Sequence, residues 1–222
     1  PPGYNSEKSY PLLYLLHGMH GNQYSWENEG HISHLADSLI NNGIIRPMVI
    51  VTPLCIVNDT MRAYHLPTYL KSGYDFNVHV RRREFEKIFP EIDEYVKQHY
   101  SVDRSMIAGL SSGGRQALML NKKHHFEVVG LFSPVIMQYH VPKRNVGTTY
   151  WMRCGAYDMF VLRSLKAHHK LNRKKIPHDF KITRGGHGWN SWRRHIEEFL
   201  LSNFPSVEMD KTKSLGGDIT AK

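Results

Sequence analysis

Short apolar runs recur along this chain, and each closes within two residues on glycine or proline. Pro11-Leu12-Leu13-Tyr14-Leu15-Leu16 runs into His17-Gly18, and Met48-Val49-Ile50-Val51 into Thr52-Pro53. Met106-Ile107-Ala108 stops at Gly109, Val128-Val129-Gly130-Leu131-Phe132 at Ser133-Pro134, and Tyr150-Trp151-Met152-Arg153-Cys154 at Gly155. Runs this short and continuous, without polar alternation, read as strands covered on both faces, the situation of a parallel sheet. The last strand is expected at Asp179-Phe180-Lys181-Ile182-Thr183. Between the runs lie helical stretches. Residues 83–99 place Phe85, Ile88, Phe89, Ile92, Tyr95 and Val96 at spacings of three and four, with Pro90 predicting a kink or a helix start. Residues 113–121, 160–172 and 190–202 repeat the pattern. Strands alternating with helices predict an α/β fold whose ligand site lies beyond the carboxyl ends of the strands.

The length of 222 residues suits one core, so a single domain over 1–204 is expected, with a loosely ordered tail over 205–222. Residues 54–82, with Pro67, Gly73 and several aromatics, read as a long irregular insertion. No apolar run approaches the length of a membrane crossing, and the opening residues lack the pattern of a signal peptide. Cys55 and Cys154 are too few for a disulfide scaffold and too far apart for a paired metal motif; buried free thiols are expected. The net charge of +9 favours acidic partners through long-range attraction. Its basic residues are scattered rather than striped, and no basic and aromatic nucleic-acid module is present. Oligomeric state is not legible.

The segment Gly109-Leu110-Ser111-Ser112-Gly113-Gly114 places a serine between glycines at the end of a strand and the start of a helix. A serine in a glycine-rich turn can be only a turn residue, but strand, Gly-x-Ser-x-Gly and helix together are the setting of an exposed nucleophile. A hydroxyl attacks only with a base in contact, a group orienting that base, and donors for the oxyanion. Among 15 histidines, His187 stands out, within Gly185-Gly186-His187-Gly188 after the last strand. Asp158, just past Gly155, is the candidate orienting carboxylate; its alternative role is a helix N-cap. The backbone N–H groups of Met19 and Ser112 are the candidate oxyanion donors. His17-x-x-His20 and His31-x-x-His34 supply two ligands each without a third, which is too little for a metal site.

The motifs Pro1-Pro2-Gly3-Tyr4-Asn5, Tyr10–Gly18, Ile107–Leu118 and Gly185-Gly186-His187-Gly188-Trp189 together resemble the esterase D-like α/β-hydrolases. Within them the likeness is to the feruloyl and acetyl-xylan esterases of carbohydrate esterase family 1, over about residues 1–203. The resemblance implies an α/β-hydrolase fold, a mostly parallel central sheet flanked by helices. In that family earlier strands precede Pro-Pro-Gly-Tyr, so N-terminal edge strands are expected to be missing here. It implies ester hydrolysis through an acyl-serine, with Ser111, His187 and Asp158 catalytic, no cofactor, and an acylated plant carbohydrate such as xylan as substrate. It also points to a secreted or periplasmic setting. The family usually has Met where Ser112 stands, which bears on the pocket floor. Trp26, Trp189 and Trp192 are candidate substrate contacts, with packing of the last helix as the alternative for the latter two. Hydrolysis of small esters, thioesters or siderophore esters, acyl transfer, and a binding module on an inactive hydrolase scaffold are the competing readings.

Overall fold

The computed structural model describes residues 1–55, 74–137, 139–144 and 146–206, with side chains left out over 74–84. Six strands form one sheet: β1 (Tyr10–Leu16), β2 (Val49–Val51), β3 (Val102–Leu110), β4 (Val128–Phe132), β5 (Thr149–Gly155) and β6 (His178–Thr183). Their spatial order is β2-β1-β3-β4-β5-β6, and every pairing is parallel. The described helices are α1 (Ser25–Asn28), α2 (Ile32–Asn41), α3 (Tyr74–His99), α4 (Ser112–His124), α5 (Val161–Arg173) and α6 (Trp189–Asn203). None is long and apolar enough to cross a membrane.

β1 is buried along its whole length, and its side chains divide by parity as a strand's must. Leu12, Tyr14 and Leu16 join a core containing Phe85 and Phe89 of α3, Leu118 and Leu120 of α4 and Leu171 of α5. Leu13 and Leu15 face the other way, into a core with Ile32 and Leu39 of α2 and Ile196, Phe199 and Leu200 of α6. Two helical layers thus cover the two faces of one sheet, which is why β1 and β4 carry no polar face; β6 at the sheet edge is only partly covered and alternates with polar residues.

Several boundaries differ from the sequence expectation. α3 runs through Pro90 without starting there. Proline removes one backbone bond from a helix, a cost offset here by burying Phe85, Phe89 and Val96. Residues 74–82 of the expected irregular insertion are helical, and 56–73 lie outside the described residues. Of the expected tail, only Pro205 and Ser206 are described. Pro205 bridges Ile45, and the Ser206 N–H donates to Ile44 O at 3.3 Å; residues 207–222 lie outside the described residues. Both cysteines are free and buried.

Candidate active site

The turn from β3 into α4 holds Ser111 at φ 52° and ψ −117°, a strained backbone for a residue with a side chain. Its neighbours fix it there. The Ser111 N–H donates to Phe132 O at 2.8 Å, and the Val135 N–H donates to Ser111 O at 3.0 Å. The flanking glycines have a steric reason: a Cβ on Gly109 would sit 2.5 Å from the Gly113 carbonyl carbon, and one on Gly113 would collide with His17 O and Leu16 O. Strand, helix and the loop after β1 meet backbone to backbone, and the Ser111 hydroxyl is carried to the floor of a cavity.

That loop, Gly18 to Gly21, passes beside Ser111, since a Cβ on Gly18 would stand 3.4 Å from Ser111 Cβ. His17 secures it. The ring is buried, Nδ1 lies 2.8 Å from Gly18 O, and Nε2 accepts the Cys55 N–H at 3.1 Å. Burial lowers the His17 pKa, only partly opposed by the Gly18 carbonyl, so the ring is a neutral strut. Sequence reading had treated His17 only as half of a metal-like pair. Among the described residues no three His, Cys, Asp or Glu side chains group as a metal site requires. Met19 and Ser112 both line the cavity next to Ser111. Ser112 opens α4, so its N–H belongs to the first turn, where helical donors lack intrahelical acceptors.

Asp158 and His187 arrive from the ends of β5 and β6. The two loops are tied by hydrogen bonds from the Ala156 N–H to Thr183 O at 2.8 Å and from the Tyr157 N–H to Gly185 O at 2.9 Å. Gly185 itself lies at φ +119°, and a Cβ there would stand 2.5 Å from Ser191 Oγ. His187 Nδ1 donates to Asp158 Oδ2 at 2.8 Å, leaving Nε2 3.0 Å from Ser111 Oγ to accept its proton. The Asp158 side chain is fully sealed while the imidazole is 19% exposed, open on the cavity side. Burial pushes the Asp158 carboxyl up, but hydrogen bonds from His187 and the Phe160 N–H outweigh it and hold the group below the ordinary carboxylate range. The capping alternative is not realised, since the N-cap of α5 is Phe160; Asp158 Oδ1 instead accepts the Phe160 N–H at 2.8 Å, organising the turn that leads into α5.

The tryptophans divide. Trp26 is fully buried, donating Nε1–H to Leu16 O at 3.1 Å and packing edge-on against Phe132, so it is a core residue and not a substrate contact. Trp192 stands edge-on to His187 with centroids 5.0 Å apart, and both Trp189 and Trp192 line the cavity. Phe160, which sequence reading passes over as part of a helix start, also stands edge-on to the imidazole at 5.0 Å. The cavity is about 550 Å³, within the range of small-molecule sites.

A serine on a strained strand-to-helix turn, with aspartate and histidine delivered in that chain order by later strand ends, defines an α/β-hydrolase. The chain belongs to the Esterase family, whose model matches residues 1–169. Ser111 and Asp158 fall inside that match, and His187 follows it. A curated relative, the endo-1,4-beta-xylanase/feruloyl esterase of Xylanibacter ruminicola, is 31% identical over 210 residues, covering 89% of this chain and 27% of the relative. The chain therefore spans about a quarter of that protein's length. Among solved structures, a ferulic acid esterase is similar at 25% identity and a TM-score of 0.74, covering 89% of this chain and 86% of the other. A CE1 ferulic acid esterase of Anaeromyces mucronatus, in complex with ferulic acid, shares the fold at 20% identity and a TM-score of 0.74, covering 93% and 84%. These agree with the resemblance read from the motifs.

Proposed function

We propose that this chain hydrolyses carboxylic esters through an acyl-serine, releasing feruloyl or acetyl groups from plant carbohydrate such as xylan. One observation carries the reading: the unbroken line from Asp158 Oδ2 through His187 to Ser111 Oγ, with contacts of 2.8 and 3.0 Å. In the first half-reaction Ser111 Oγ attacks the ester carbonyl while its proton passes to His187 Nε2. The backbone N–H groups of Met19 and Ser112 receive the oxyanion, and Asp158, ionised throughout, holds the imidazole in the right tautomer and stabilises its charged form. The collapsing intermediate expels the alcohol, which takes the proton from His187. Water then attacks the acyl carbon while giving a proton to the same nitrogen; the acyl–Oγ bond breaks, Oγ takes that proton back from His187, and the acid leaves a free serine. Every step uses the chain's own groups.

The names of the relatives support a feruloyl acyl part, and a cavity walled by Trp189 and Trp192 suits a flat aromatic acid. The test is release of ferulate from methyl ferulate, compared with acetylated xylan and simple acetyl esters. Ser111→Ala should lower kcat by roughly 10⁴-fold or more while leaving the fold intact. Equal rates for native chain and variant would leave a binding module on a hydrolase scaffold as the better reading.

A further inference from the structure

The charge around the cavity is uneven. Its described lining includes two guanidinium groups, Arg115 and Arg163, against one carboxylate, Glu29. Arg115 lies one turn beyond Ser111 on α4, and Arg163 lies in the first turn of α5, just after Asp158. Arg163 is exposed, and its guanidinium carbon stands 5.4 Å from the centroid of the Phe160 ring. Phe160 in turn flanks the His187 imidazole. Among the described residues no carboxylate forms an ion pair with Arg163, in contrast to Arg153, which holds both Asp179 and Glu198.

The direction of this charge follows from the chemistry. A departing alcohol oxygen must come within hydrogen-bond reach of His187 Nε2 to collect its proton. The alcohol part of the ester therefore leaves past this imidazole, and Phe160 and Arg163 stand along that flank. The same stretch presents large apolar side chains to solvent: Tyr157 is 85% exposed, Met159 74% and Leu162 68%. Such a surface beside a cavity offers a face on which a sugar ring can rest, with a cation at its edge.

We infer that Arg163, with the exposed side chains of Tyr157, Met159 and Leu162, is a specificity determinant for a carboxylate on the alcohol part of the ester. The preferred alcohol is thus an acidic carbohydrate, carrying a uronic acid near the acylated hydroxyl. This rests on the ester hydrolysis proposed above and adds the charge of the leaving group to it. The net charge of +9 acts in the same direction at longer range by raising encounter with anionic polysaccharide. An exposed cation gives a modest preference, about twofold to fivefold.

The experiment measures kcat/KM on two feruloylated xylo-oligosaccharides that differ only in a glucuronosyl substituent, with methyl ferulate as a separate check that the enzyme turns over. The native chain should favour the acidic substrate, Arg163→Gln should bring the ratio close to one, and Arg163→Glu should invert it. Raising ionic strength should shrink the native ratio. A native ratio of one, or a preference that survives in Arg163→Gln, overturns the inference while turnover of methyl ferulate leaves the esterase reading standing. Failure on all three esters overturns the feruloyl esterase reading and this inference with it.

Discussion

Asp158 serves two partners with its two oxygens, and that division makes the role of its charge separable from its role in the turn. Oδ1 takes the Phe160 N–H and Oδ2 takes His187 Nδ1–H. In Asp158→Asn the amide oxygen can keep the turn bond, but the amide group facing His187 donates where a carboxylate accepted. The imidazole is then driven to the tautomer whose Nε2 carries a proton and cannot receive one from Ser111. The expected outcome is a kcat on methyl ferulate lower by about 10³- to 10⁴-fold, with a melting temperature within a few degrees of native. Large loss of both would mean that Asp158 acts mainly by holding the turn before α5. At this scale the sequence was informative because Ser111, Asp158 and His187 each follow closely on the end of a strand, β3, β5 and β6 respectively. It was silent on Trp26: nothing local distinguishes a tryptophan at the mouth from one whose indole N–H finds Leu16 O inside the core.

At the scale of elements, the site depends on how closely α4 can lie against β1. Gly113 is in contact with the backbone of Leu16 and His17, so an added methyl has no flexible side chain to displace and must push helix from strand. Gly113→Ala should therefore move Ser111 away from the Met19 loop and His187. We expect a loss of activity of about 10²-fold or more, since small misplacement of reacting groups is costly, alongside destabilisation of roughly 1–3 kcal/mol from overpacking. Activity assays on the folded fraction, paired with thermal melts, separate the two effects. Unchanged activity would show that the turn tolerates displacement. The elements themselves were legible where periodicity was clean, as in β1, β4 and β5. The first half of β3, Val102-Asp103-Arg104-Ser105, was missed because its polar composition hides a strand that pairs with β1 through Tyr10 and Leu12. In α2, Ile32, Leu35, Ala36, Leu39 and Ile40 did carry helical spacing, but the intervening Ser, His and Asp residues masked it.

For the whole molecule, acid stability is governed by histidines that the fold keeps neutral. His195 on α6 is fully buried; Nε2 meets Thr183 Oγ1 at 2.8 Å, while Nδ1 has no hydrogen-bond partner among the described residues. Burial first, and then the charges of Arg153 and Arg194, push its pKa down to about 4. The unfolded chain, with an ordinary histidine value of about 6.5, takes up this proton earlier than the folded one. Stability is therefore complete above about pH 6.5 and declines as the pH falls toward 4, by up to about 1.4 kcal/mol per pH unit for this group. His17, also shifted down by burial, adds to the loss in the same direction, and Asp158, whose folded pKa is depressed, joins only at lower pH. Denaturant midpoints measured from pH 8 to pH 4 should be flat at first and then fall. His195→Gln can keep a hydrogen bond to Thr183 without a titrating ring, so its midpoint should start lower but decline less steeply. Parallel curves for the two proteins would show that acid sensitivity arises elsewhere in the molecule, because only a group that titrates differently in folded and unfolded states can change the slope.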